Sequence, residues 1–180
     1  ASPRAMKTFE SRSTPPAGFY TSWKKWLPVM KAYEARTPAY FATPPTNLIY
    51  ALHTSLKTIT EGPVSLAQRF EKHREASQRV KKGIENLGLE QLAQLDSRQN
   101  GVANGMTAVR YPQGLKASDI LPKMAQRGVV FGAGLHKDAK DEYFRIGHMG
   151  VSVVDPARRD VDIILQKLEE ALAEAGYQKK

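Results

Sequence analysis

The second half of this sequence predicts an α+β layer, a small antiparallel sheet with helices packed on one face. Three observations carry that reading. From Met106 onward, short apolar runs alternate with helical periodicity in the order strand, helix, strand, strand, helix. Ahead of them a stripe of apolar or small residues, Leu66, Phe70, His73, Ser77, Val80, Ile84 and Leu87, recurs at spacings of four and three, the mark of a helix with one buried face. Finally, Tyr143-Phe-Arg-Ile-Gly-His-Met-Gly150 reads as an apolar strand with a cation, Arg145, set in its middle.

Taken in order, residues 1–12 form a short helix, with Ser2 as its cap, Pro3 at the first helical position, and Met6 and Phe9 on one face. Thr14-Pro-Pro-Ala-Gly18 is a linker. Phe19, Tyr20, Trp23, Trp26 and Leu27 then crowd together, a density that suits packing at a domain or subunit interface. Base stacking, with Lys24 and Lys25 alongside, is the alternative. Tyr40-Phe-Ala-Thr-Pro-Pro-Thr46 leads into a helix bearing Leu48, Ile49, Leu52, Leu56 and Ile59, with Thr43 before Pro44 expected to cap it. The unpaired amides and positive dipole end of a helix start suit a phosphate, and the Tyr40 and Thr43 hydroxyls would add donors. A plain capped helix is the competing reading.

Gly62-Pro63 breaks the chain, and Ser65 with Gln68 makes a capping box for the striped helix, which spans about 30 Å and is long enough to brace two domains. On its stripe His73 is expected to be a satisfied packing residue, and Gly88 closes the helix. Residues 89–105 give a weak signal, with Asp96-Ser-Arg-Gln-Asn100 read as a loop. Met106-Thr-Ala-Val-Arg-Tyr111 is a strand ended by Pro112, residues 116–126 a helix capped near Ser118, and Val129-Val-Phe131 a second strand. Gly132-Ala-Gly134 follows, its glycines permitting a turn or a close backbone approach; without a third glycine and an immediate helix it is no dinucleotide fingerprint. Lys137, Asp138, Lys140, Asp141 and Glu142 form an exposed connection to the Arg145 strand. Asp155-Pro156 starts the last helix, with Val161, Ile164, Leu165, Leu168 and Leu172 on one face, and Gly176 ends it before a Lys179-Lys180 tail.

Composition narrows the function classes. With 180 residues, 41% hydrophobic and 25% charged, the chain suits one domain, or one plus a piece of another. No apolar run approaches the roughly 18 residues of a membrane span, and no signal-peptide pattern opens the chain, so a soluble intracellular protein without membrane partners is expected. Zero cysteines exclude disulfides, thiolate metal sites and cysteine nucleophiles within this sequence. The balance of 27 basic against 18 acidic residues, +9, favours anionic ligands. Because these charges are interleaved, a solvated surface accounts for them better than a nucleic-acid stripe.

Arg145 is the candidate binding residue. Phe144, Ile146 and Met149 ask for burial, and a buried cation must be paired. Its planar fork suits a carboxylate held by two parallel hydrogen bonds, and Gly147 and Gly150 allow close approach. An internal pair with Asp141 or Glu142 is the plainer possibility.

Taken together, Tyr40-Phe-Ala-Thr-Pro-Pro, Arg127-Gly-Val-Val-Phe-Gly-Ala-Gly-Leu and Tyr143-Phe-Arg-Ile-Gly-His-Met-Gly resemble the class V aminotransferases, above all the alanine–glyoxylate (serine–pyruvate) branch and its fungal members. The resemblance covers essentially the whole chain. It implies the α/β fold type I of pyridoxal 5'-phosphate (PLP) enzymes. Residues 1–64 would be the end of the large cofactor-binding domain with an interdomain segment, and residues 65–180 the small carboxy-terminal α+β domain with its leading long helix. By the match Arg145 stands at the arginine that grips the substrate α-carboxylate, while Tyr40 and Thr43 stand at residues reaching across a homodimer to the phosphate of the other subunit's PLP. The implied reaction moves an amino group from alanine or serine to glyoxylate or pyruvate, and no metal or nucleic acid takes part.

The family's Schiff-base lysine lies in a Ser-x-x-Lys motif expected a short distance upstream of the residue matching Ala1. The aspartate for the pyridinium nitrogen, the ring-stacking aromatic and the glycine-rich phosphate turn are likewise expected outside this sequence, and Lys7 and Lys24 do not lie in the motif. A start at Ala1-Ser-Pro therefore reads as a processed product or fragment, catalytically incomplete without the missing amino-terminal part. Cysteine desulfurases share the fold but need a cysteine, and phosphoserine aminotransferases need more basic groups for their substrate. A basic α+β binding or dimerisation module without enzyme activity is the alternative from another class. Ending in Gln-Lys-Lys, the chain lacks a Ser-Lys-Leu address, and peroxisome, mitochondrion and cytoplasm stay open.

Overall fold

The computed structural model describes residues 1–14, 17–92 and 102–179. The loop expected at Asp96 to Asn100, and Pro15 and Pro16 of the linker, lie outside the described residues. The chain divides into two compact units, Ala1–Ser55 and Leu56–Lys180, a boundary nine residues ahead of the 64/65 junction read from the sequence.

The first unit holds α1 (Pro3–Glu10), α2 (Trp23–Glu34) and the opening of α3 (Thr46–Thr60). Ser2 caps α1 as expected, its Oγ accepting from the Ala5 amide at 3.2 Å. The aromatic run folds onto itself: Trp26 meets Phe41 edge-on at 5.1 Å and Tyr20 at 5.6 Å, and Phe9 meets Trp23 at 5.6 Å. Even so, Ser22 and Val29 are its only buried residues among those described. The apolar positions predicted along α3 are all exposed, Leu48 at 70% and Leu52 at 59%.

In this unit one sequence expectation fails. The helix begins at Thr46, and its first turn is closed by the Ile49 amide donating to the Pro45 carbonyl, so Thr43 is not its cap. Two consecutive prolines delay the helix, because the residue before a proline is pushed out of the helical region.

The second unit contains α4 (Leu66–Asn86), β1 (Met106–Arg110), α5 (Ala117–Gln126), β2 (Gly132–Ala133), β3 (Tyr143–Gly147), α6 (Val151–Val154) and α7 (Asp160–Glu174). The sheet is antiparallel in the order β1-β3-β2, so the Arg145 strand is central. Alternation along β3 turns Phe144 and Ile146 to one face, where both are fully buried. On that face they join Val80 and Ile84 of α4, Ile120 and Met124 of α5, and Leu168 and Leu172 of α7 in one cluster. At about 1.5–3 kcal/mol per large apolar side chain, this cluster is the unit's main source of stability. The capping box of α4 is formed, Ser65 Oγ accepting from the Gln68 amide and Gln68 Oε1 from the Ser65 amide at 2.9 Å. Gly83, in its interior, admits α7: a Cβ there would lie 2.5 Å from Leu165 Cδ2. The glycine weakens the helix by roughly 1 kcal/mol against alanine, and close packing is what it permits.

Four readings need correction. The second strand is Gly132–Ala133 rather than residues 129–131: Val130 is 85% exposed, while Phe131 is buried and stacks on Phe144 at 5.3 Å. The last helix starts at Asp160; Asp155 instead accepts the Ala157 amide in a local turn, with α6 ahead of it. Met149 is 52% exposed, because it follows the end of β3 on the side away from the core. Along α4 burial is confined to Ser77, Val80 and Ile84, and Leu66 and Phe70 near its start are exposed.

Candidate functional site

Arg145 points away from the core, half-buried, and is braced by backbone. Its Nε donates to the Ala133 carbonyl at 2.8 Å. In register, Gly132 lies directly opposite it on β2. A Cβ on Gly132 would come within 2.8 Å of Arg145 Nη2 and 3.1 Å of Cζ, so the guanidinium lies flat across the glycine. Neither acid proposed as an internal partner holds it. Glu142 is taken by Arg110 at 2.7 Å, and Asp141 acts on Tyr111, adding to the burial that raises that phenol. Among the described residues, no carboxylate lies within ion-pairing distance of Arg145, and its two terminal nitrogens carry no hydrogen bond.

Neighbouring groups stiffen the strand. The Tyr143 hydroxyl accepts the Leu135 amide at 2.9 Å and the His136 amide at 3.0 Å, bonds that hold the phenol below its ordinary range. Gly134 closes the same loop against Lys140, whose carbonyl would lie 2.2 Å from a Cβ. His73 is satisfied as expected: Nδ1 donates to the Arg69 carbonyl, leaving Nε2 to accept the Gly150 amide at 2.9 Å.

The sequence reading missed a buried polar group at the end of β3. His148 is fully buried, with Nε2 bonded to the Thr107 hydroxyl at 2.8 Å. Burial first, and Lys81 second, lower its pKa, against a weaker opposite pull from its own and the Asn104 carbonyls. Lys81 itself, lowered by burial, donates to Ser77 and to the Ala103 carbonyl at 2.9 Å. The signal available was parity: His148 lies two residues beyond Ile146, on the strand's inward side.

In the first unit, the Tyr40 hydroxyl and Thr43 Oγ1 lie 2.9 Å apart, and the Tyr20 hydroxyl donates to the Thr43 carbonyl at 3.1 Å. Tyr40 is 74% exposed and Thr43 exposed, so both hydroxyls face solvent as a local pair rather than as part of a helix cap. Ser22-Trp-Lys-Lys25 has the bare Ser-x-x-Lys spacing, a match overlooked in the sequence. Here Ser22 precedes α2, and Lys25 Nζ sits over the Phe19 ring, 4.5 Å from its centroid. Among the described residues, no group of three His, Cys, Asp or Glu is arranged to hold a metal.

Over 135 residues, 75% of its length, the chain is 40% identical to alanine–glyoxylate aminotransferase 1 of Saccharomyces cerevisiae, and covers 34% of that protein. Over that stretch the chain resembles the alanine–glyoxylate aminotransferases in sequence. No family model matches. A protein of Synechococcus sp. named as the small subunit of a soluble hydrogenase is 33% identical over 177 residues, 98% of this chain and 41% of that one. In fold, the chain superimposes on the crystal structure of alanine–glyoxylate aminotransferase from Nostoc sp. with a TM-score of 0.74 and 24% identity, covering 95% of this chain and 42% of that one. It thus spans well under half the length of these relatives, and the type I fold is the architecture they share.

Proposed function

We propose that the chain is the carboxy-terminal part of a PLP-dependent aminotransferase that moves an amino group from alanine or serine to glyoxylate or pyruvate, giving glycine and pyruvate from the first pair. The observation that carries this reading is Arg145: a half-buried, backbone-braced guanidinium whose terminal nitrogens have no partner among the described residues. Amino acid and keto acid both offer it a planar carboxylate for two parallel hydrogen bonds. Held in that plane, the substrate's Cα has a defined orientation.

PLP, when bound, supplies the electron sink that stabilises a carbanion at Cα. The chain's own donors fit its phosphate. Tyr40 and Thr43 share one hydrogen between them, so a second hydroxyl hydrogen is free to donate, and both groups are open to an incoming anion. In the assembled homodimer these hydroxyls hold the phosphate in the other subunit, and Arg145 positions the substrate. Lys25 Nζ sits over the Phe19 ring, and the resemblance puts the cofactor's lysine in a motif outside this sequence, so on this reading the chain alone is catalytically incomplete. Borohydride treatment of the isolated chain with PLP should leave no lysine stoichiometrically labelled; full labelling at Lys25 would overturn that statement.

In the full-length enzyme, Arg145→Lys should cut kcat/KM for the amino donor by roughly 10²-fold or more, about 3 kcal/mol, since a point charge cannot set the carboxylate plane. Cofactor retention should be unchanged. Loss of cofactor or of fold with normal residual transamination would make Arg145 a structural residue.

A further inference from the structure

The geometry points to Gly132 and the Ala133 carbonyl as the device that sets how Arg145 presents its fork, an inference that rests on Arg145 being the carboxylate-binding residue. A guanidinium can meet a carboxylate through the edge formed by Nε and one terminal nitrogen, or through the edge formed by both terminal nitrogens. Here the Nε hydrogen is already donated to the Ala133 carbonyl at 2.8 Å. That closes the first edge, so a carboxylate is received end-on, by Nη1 and Nη2 together.

The arrangement needs a residue without a side chain at 132. Gly132 pairs with Arg145 across the β2–β3 ladder, and any Cβ would fall 2.8 Å from Nη2, 3.1 Å from Cζ and 3.2 Å from Nε. Those contacts are with the far end of a flexible side chain. Gly132 also does not have the positive φ that marks five other glycines among the described residues. An alanine is therefore tolerated by the backbone, and what gives way is the guanidinium. Gly132 acts as a positioning residue: its substitution moves the fork without removing the charge.

The test uses the full-length enzyme with its cofactor and compares alanine with ethylamine, which is alanine without the carboxylate. Gly132→Ala should raise KM for alanine and for the keto acid about 10-fold or more, change kcat less, and leave the ethylamine reaction, cofactor content and unfolding temperature essentially as in wild type. Arg145→Ala should abolish the preference for alanine over ethylamine, and adding Gly132→Ala to that variant should then cost nothing further, because the group it displaces is gone. If Arg145→Ala abolishes the preference while Gly132→Ala leaves it intact, the role of Gly132 fails and the carboxylate reading stands. If neither variant alters the preference, the carboxylate reading fails and carries this inference down with it. Equal losses from Gly132→Ala in both backgrounds would mean general damage to β2. Should that variant not fold, a crystal structure of the wild-type enzyme with bound propionate decides: both oxygens on Nη1 and Nη2, with Nε still on Ala133, is the expected result, and a carboxylate on Nε overturns it.

Discussion

Residues 1–55 and residues 56–180 both carry apolar helical stripes, and they use them in opposite ways. In the second unit the stripes of α4, α5 and α7 close over Phe144 and Ile146, and the key residues reach zero exposure. In the first unit the aromatics are knitted by edge contacts yet remain largely exposed, and α3 buries none of its side chains. The difference teaches that amphipathic periodicity reports which face wants burial, while only the supply of facing elements decides whether burial happens. The second unit thus closes its core with its own elements, whereas the first leaves its apolar faces exposed.

The largest effect should come from the centre of the second unit. Phe144→Ala removes a fully buried ring that touches both Phe131 and Tyr111, and should lower unfolding free energy by about 3–5 kcal/mol in urea titrations. A loss below about 1 kcal/mol would mean that the core is not where stability resides. A smaller effect, of another kind, is expected in the first unit. Thr43→Ala in the full-length enzyme should weaken PLP retention by about 1–2 kcal/mol, the scale of a hydrogen bond to a charged group, with stability of the fold little changed. Unchanged cofactor affinity would reduce the Tyr40–Thr43 pair to a local turn. Smallest of all, Leu52→Ala in this chain alone should change stability by no more than about 0.5 kcal/mol, since the side chain is already in water. A loss of core size there would show that α3 is covered in solution and would erase the contrast between the units.

Local signals in the sequence were readable where chemistry is local. Ser2, the Ser65–Gln68 box and the left-handed glycines Gly88 and Gly176 end or start helices where their side chains, or lack of one, dictate. The sheet was readable as to its number of strands but not its pairing. β2 is only Gly132–Ala133, and what makes it a strand is the ladder to Arg145 and Phe144, a tertiary fact with no local propensity behind it. Similarly, cap-plus-proline signals at Thr43 and Asp155 announced helices that begin later, because two consecutive prolines hold off the helical conformation after Thr43 and Asp155 makes a local turn of its own. Arg145 could be singled out as a cation in an apolar strand. Its brace could not, since a backbone carbonyl and a missing side chain leave no trace in residue type.

The Tyr143 hydroxyl carries a consequence for how sequence variation in this strand is to be weighed. Exchanging tyrosine for phenylalanine is among the mildest replacements in chemical terms, preserving the ring that is 5% exposed and the β propensity of the strand. At this position it would orphan the Leu135 and His136 amides at once, because the phenol oxygen is the acceptor for both. The connection between β2 and β3 would lose its anchor while every apolar contact stayed in place. Interchange of the two aromatics at 143 is accordingly a sensitive marker among variants of this chain, and a similarity score that treats them as equivalent would pass over it.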